Sequence, residues 1–377
     1  MSVSLPSFAK INLGLRIGPL REDGFHGLRT VYQTIALHDT IRVSVTRGSG
    51  IEIRSHDRRV PLDPTNTCYK IVERAVDALR ARGRVVVEID KHLPVQGGLG
   101  GASGNAVSAL LAFERALGKA LSGADRLRLA AEVGSDLPLF LVGGTVLGVG
   151  HGEEVYPLPD LPAMPCVIAL PEIAVSTPKA FSDWDECSRA GAPAREFPAV
   201  TKATWQMRNG LGTAPRPAGT ASEPGRGPTP GSGAAELGRP GHLTATKLKN
   251  PVPSDTMTKF SREISAWLSA GLELRRSGVS ARSGGRAENP LLDLVRTGIE
   301  NDFEKVVFPQ HPELCEVKRV LEQSGAQYAS LSGSGSAVYG LFDSRQGARR
   351  AAKKLIQRGT RAVVTSTLTR RRYWKSF

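Results

Sequence analysis

The chain has 377 residues, 40% of them hydrophobic and 6% aromatic, enough for two or three domains with a sizeable core. No run of about eighteen apolar residues occurs, which argues against a helical membrane span. Residues 1–8 lack the basic-then-apolar order of a secretory signal. The formal net charge of +14 favours anionic partners, either nucleic acid or a nucleotide with a phosphorylated metabolite. That charge is spread along the chain apart from Arg370, Arg371 and Arg372, which read as a solvated tail. Cys68, Cys166, Cys187 and Cys315 form no CxxC pair. Neither a metal site nor a disulfide framework is expected, and a reducing, cytoplasmic compartment fits.

Residues 4–17 alternate apolar and polar side chains and predict a strand carrying Lys10 and Asn12. A glycine-bearing loop at 21–26 follows, then two strands at 32–37 and 40–46 and a turn at 60–64. Residues 66–82 predict a helix with Ile71, Ala75, Ala78 and Leu79 on one face. Residues 85–89 read as a β-branched strand, and 106–116 and 124–133 as helices. The apolar residues after Pro138 read as a short strand that ends at Gly143 and Gly144.

Between 189 and 256 Gly, Pro, Ala, Ser and Thr dominate. Such a stretch cannot bury enough apolar surface to offset its ordering entropy, so a flexible insert is expected. Beyond it, 264–274 suggests a helix, 289–295 and 300–307 short helices or loops, and 312–324 an amphipathic helix. A strand from 328, a glycine turn, a strand to 342, a helix over 345–358 and a strand over 362–367 follow. Helices and strands mixed in both halves indicate an α/β or α+β protein.

The densest signal is HLPVQGGLGGASGNA at 92–106, with five glycines among the eight positions 97–104, directly before a helix. A glycine turn that opens a helix aims backbone N–H groups and the positive end of the helix dipole at an anion. No Gly-Lys-Ser/Thr follows, so this is not a Walker A loop, and it does not follow the dinucleotide GxGxxG rule.

Other segments sharpen the signal: PSFAKINL at 6–13, DGFH at 23–26, Thr65-Asn66, DKHLP at 90–94, GSDLP at 134–138, STPKAF at 176–181, NDFE at 301–304 and LSGSG at 331–335. In this order they resemble the GHMP kinase superfamily of small-molecule kinases, across nearly the whole chain outside the insert. The resemblance implies a two-domain α+β fold. Residues 1–165 would form a ribosomal-S5-like ATP-binding domain. Residues 166–377 would form a ferredoxin-like substrate domain carrying the insert. It implies ATP and Mg2+, a small-molecule acceptor, no nucleic-acid or membrane partner, and a monomer or homodimer.

By this resemblance Asp136 is the base that takes the acceptor's hydroxyl proton, and Lys10 beside it keeps the carboxylate ionised. ATP would lie on Pro94, Gly97, Gly98, Leu99, Gly100, Gly101, Ala102, Ser103 and Gly104, framed by Asn66, Lys91 and Asn105. Ser103 would offer its hydroxyl to phosphate or Mg2+. The acceptor would be a cytidine diphosphate ester, held by Asn12 and Thr177. Phe25 and Phe181 would sandwich the base, and His26 would bond its edge. A homoserine- or mevalonate-type kinase is the near alternative, and a basic nucleic-acid-binding protein or a catalytically dead relative the distant ones. Three positions depart from the family pattern: Phe25 replaces tyrosine, Gln96 a small residue, and Gly104 a second serine.

Overall fold

The computed structural model describes residues 1–21, 24–95, 97–189 and 300–377. Nearly all of the insert expected at 189–256 lies outside them, as do the helices expected at 264–274 and 289–295, and Gln96.

Two long strands organise the first half: β1 (Ser2–Leu20) and β2 (His26–Thr46) pair antiparallel along almost their full length. The two strands expected at 32–37 and 40–46 are thus one. Its second edge is shared, with 28–33 pairing β5 (Thr145–Gly150) and 40–46 pairing β4 (Arg84–Asp90). β3 (Ile51–Ser55) and β6 (Glu154–Pro157) complete a six-stranded sheet.

Four helices cover this sheet: α1 (Thr67–Ala78), α2 (Gly101–Leu117), α3 (Gly123–Val133) and α4 (Leu137–Val142). Asn66 caps α1 by accepting from the Cys68 amide at 2.8 Å, and Ile71, Val72 and Ala75 form its buried stripe. Ala78, expected on that stripe, is exposed. α2 is buried on all sides from Gly104 to Glu114, the signature of a central helix. Its one buried carboxylate, Glu114, is matched by Arg126 at 2.9 Å. The residues after Pro138 form α4 and not the expected strand.

The second sheet runs β10 (Arg361–Ser366), β7 (Pro165–Leu170), β9 (Val338–Leu341), β8 (Tyr328–Leu331). Helices α5 (Thr177–Arg189), α6 (Glu304–Gln310), α7 (Pro312–Gln323) and α8 (Arg345–Gln357) accompany it. A shared core joins the two sheets, with Ile11, Leu13 and Ile35 of the first packed with Ile168, Tyr339 and Leu341 of the second. A last helix, α9 (Arg370–Lys375), returns to the first half. There the buried Tyr373 donates to the Phe140 carbonyl at 2.7 Å. Arg370 is no solvated tail: its guanidinium donates to the carbonyls of Gly143, Thr145 and Leu158.

Candidate active site

In a strand, residues two apart share a face, so Lys10 and Asn12 of β1 point the same way. Both are buried, and Lys10 Nζ donates to Asn12 Oδ1 at 2.7 Å. Asn12 in turn donates to Thr30 Oγ1 at 2.7 Å, and Thr30 to the Gly14 carbonyl at 2.8 Å. The lysine is therefore held from behind. In front of it Asp136 Oδ2 stands 3.3 Å from Nζ. Asp136 occupies the N-cap position of α4, yet its side chain makes no capping bond, so the carboxylate is left for the cleft. Its other oxygen, Oδ1, accepts from the Tyr32 hydroxyl at 2.9 Å. Burial, and then the Asp136 charge, push the Tyr32 phenol well above its ordinary range.

Beside this pair, the glycine loop and the start of α2 line a cavity of about 350 Å³. Of the residues expected to hold ATP, Asn66, Lys91, Pro94, Gly97, Gly98, Leu99, Gly100, Gly101, Ala102, Ser103 and Asn105 line it. Gly104 does not. It packs on β1, where a Cβ would fall 2.8 Å from the Phe8 carbonyl oxygen and 3.0 Å from Ser7 Oγ. A serine there would require β1 to shift. Arg59, Val60 and Pro61 also line it, which sequence reasoning missed, since a turn before a helix carries no signal of its own.

The cavity has the polar groups a nucleotide needs. Among the described residues the amides of Gly101, Ala102 and Ser103 have no protein acceptor, as the first turn of a helix requires. Asn105 is 4% exposed, and its Oδ1 has no hydrogen-bond partner among those residues. Lys91 is already matched: its Nζ donates at 2.5 Å to Asp39, whose other oxygen accepts from the amides of His92 and Leu93. The fully buried Asp39 thereby pins the entry to the loop. A larger cleft of about 630 Å³, lined by His38, His92 and Thr365 among others, holds none of the expected site residues.

The second glycine turn closes on the first. Gly98 adopts φ +73°, and a Cβ there would collide with the Ser332 carbonyl oxygen. The Ser332 hydroxyl donates to the Gly98 carbonyl at 2.9 Å, and the Ala337 amide to that of Gly97 at 3.2 Å. Asn301 braces the turn by donating to the carbonyls of Leu331 and Gly333. Thr177, at the start of α5, shares a hydrogen bond of 2.8 Å with Ser334.

Of the residues expected to hold the acceptor, His26 and Phe181 stack with centroids 5.3 Å apart and planes at 7°. Phe181 also packs edge-on against Phe303. Both His26 ring nitrogens are engaged, Nδ1 with the Gly18 carbonyl at 2.8 Å and Nε2 with Asp185 at 3.2 Å. A ring bond from His26 to a base edge would have to replace one of these partners, and the ring also presents a face. Phe25 is 61% exposed, its ring tilted against His151 at 4.8 Å.

Residues 66–144 match the family described as GHMP kinases N terminal domain, and residues 287–361 the GHMP kinases C terminal domain. The curated 4-diphosphocytidyl-2-C-methyl-D-erythritol kinase of Solibacter usitatus is 33% identical over 375 residues, spanning 98% of this chain and 90% of that one. A crystal structure of 4-(cytidine 5'-diphospho)-2C-methyl-D-erythritol kinase superposes with TM-score 0.61 at 25% identity, covering 97% of this chain and 99% of the other. A homoserine kinase from Cytophaga hutchinsonii superposes as well, with TM-score 0.62, at 17% identity and 98% and 95% coverage. The fold is therefore the two-domain GHMP kinase fold, and sequence identity rather than shape separates its branches. At that identity over that share of both chains, the protein belongs to the GHMP kinases and, within them, to the 4-diphosphocytidyl-2-C-methyl-D-erythritol kinase family.

Proposed function

We propose that the protein transfers the γ-phosphoryl group of ATP to the 2-hydroxyl of 4-diphosphocytidyl-2-C-methyl-D-erythritol, a step of the non-mevalonate isoprenoid precursor pathway. The observation that carries this reading is the Lys10–Asp136 pair, 3.3 Å apart, beside a glycine cradle whose amides at 101–103 have no acceptor among the described residues. Phosphoryl transfer asks a protein mainly for positioning and charge neutralisation. Asp136 accepts the proton of the acceptor hydroxyl. The hydroxyl oxygen bonds the γ-phosphorus while the bond to the β–γ bridging oxygen breaks, and ADP leaves. Lys10, held by Asn12, balances the carboxylate before transfer and the incoming phosphoryl charge during it.

The α2 amides and Ser103 would hold the phosphates, and Asn105 would take a donor from the nucleotide. Mg2+ would enter with ATP and add charge neutralisation at the phosphates, and the Ser103 hydroxyl in the cradle would be the side chain offered to it. The exposed Phe25 ring and the His26–Phe181 stack offer aromatic faces to a cytosine. Asn12 and Thr177 would contact the ester. Residues 1–165 then act as the nucleotide domain and 166–377 as the acceptor domain, in a cytoplasmic enzyme active as a monomer or homodimer. No described helix is long and apolar enough to cross a membrane.

Phosphorus NMR of the reaction tests the proposal. It predicts a new phosphomonoester resonance on the 2-hydroxyl with the cytidine diphosphate bridge intact. A phosphoryl group on any other oxygen would reject this acceptor geometry.

A further inference from the structure

Tyr32 is 2% exposed and touches both members of the central pair. Its hydroxyl donates to Asp136 Oδ1 at 2.9 Å while Lys10 holds Oδ2 at 3.3 Å. Its ring lies under the same lysine, with Nζ 5.5 Å from the centroid. The phenol is also boxed in from behind. A Cβ at Gly152 would come within 2.5 Å of the phenolic oxygen, and one at Gly148 within 2.5 Å of ring carbon Cε2. The register of β1 on β2 sets Tyr32 opposite Asn12, the residue that accepts from Lys10. One strand pair thus fixes the support of the lysine and the support of the carboxylate together.

We propose that Tyr32 is a positioning residue for the transfer, fixing the plane of the Asp136 carboxylate so that a lone pair faces the acceptor hydroxyl. This rests on the reading of Asp136 as proton acceptor. A lysine ammonium acts as a compact point charge and constrains the rotation of a carboxylate weakly. A second, directional bond to the other oxygen removes that freedom, and a reacting group out of line loses rate steeply. Tyr32 neither gives up nor gains a proton. The hydroxyl proton of the acceptor goes to Asp136, and the phenol stays a donor throughout.

The test is Tyr32→Phe, which keeps the ring, its packing and its place under Lys10. The expected result is a kcat loss on the order of tenfold to a hundredfold, with KM for both substrates and the ATP-analogue Kd within about twofold of wild type. Adding Tyr32→Phe to Asp136→Asn should cost nothing further, because the bond it removes serves Asp136 alone. An unchanged kcat in the single variant would overturn the proposal, as would an equal loss in both backgrounds or KM values that rise in step with the lost rate. Where the Asp136→Asn rate is too low to read, the kcat-against-KM split of the single variant decides. Full activity in Asp136→Asn would instead overturn the reading of Asp136 itself, which keeps the two failures apart.

Discussion

Lys10 and Asp136 meet at 3.3 Å although one lies on the first strand and the other at the mouth of α4. Asn12 holds Lys10 from the same strand, but the carboxylate facing it comes from a distant segment. β1 brings Lys10 to the cleft, and the Lys10 amide donates to the Leu99 carbonyl at 2.9 Å, which ties the strand to the glycine loop. The pair and the cradle are therefore tied to each other through the backbone, as phosphoryl transfer between positioned groups requires.

The Asp39–Lys91 contact is a buried ion pair, with side-chain exposures of 0% and 6%. Asp39→Ala would leave the ammonium and two loop amides without their acceptor. The expected loss of unfolding free energy is about 3–5 kcal/mol, read from urea denaturation, with weaker ATP binding because the loop entry is released. Unchanged stability would mean that Lys91 finds another partner or swings to solvent.

Gly104→Ser restores the hydroxyl that the family pattern offers at this position. In this chain the new Cβ meets the Phe8 carbonyl and the Ser7 hydroxyl. The variant should be destabilised by about 1–3 kcal/mol with no gain in ATP affinity. Tighter ATP binding at full stability, measured by calorimetry and thermal melting, would show that β1 yields at that point.

Acid should weaken the fold in a defined window. A hydrogen bond from Arg59 holds the Asp57 carboxyl down at about 2. Thr65, Ser122 and Lys179 likewise hold Asp63, Asp125 and Asp183 below the ordinary carboxylate range. Each folded-state value lies under its unfolded one. The stabilisation is thus complete above about pH 4 and is lost as the pH falls toward 2. The urea midpoint should be flat near neutrality, fall across that window, and fall less in high salt because these groups lie near the surface. A midpoint that rose on acidification would contradict the assignment.

Much of the site was legible because its pieces are local. The alternation around Lys10 and Asn12 marks a strand, and the glycines before an apolar helix mark an anion cradle. Local periodicity failed where tertiary contacts decide. The apolar residues after Pro138 fit a strand or a helix equally by period, and the proline at the first turn, with a nearby packing surface, makes them α4. Arg370 reads as tail charge until the chain folds back and three carbonyls accept from it. β5 is short and bears glycines and β6 has only four residues, so their pattern is weak, yet Gly148 of β5 and Gly152 in the turn between them shape the space behind Tyr32. Tyr32 itself looks like an ordinary strand tyrosine, and only the pairing of β1 with β2 and the approach of α4 show what its hydroxyl is for. The engaged nitrogens of His26 were equally invisible, because Asp185 reaches it from α5.

The central claim is that this cleft phosphorylates the cytidylyl ester through Asp136. The most direct measurement is ADP release from Mg-ATP with 4-diphosphocytidyl-2-C-methyl-D-erythritol, homoserine and mevalonate in parallel, for wild type and Asp136→Asn, alongside ATP-analogue binding. The account predicts turnover with the ester alone, lowered on the order of 10²–10⁴-fold in the variant, with nucleotide affinity retained. Equal turnover in the variant, or turnover with homoserine or mevalonate in place of the ester, would contradict it.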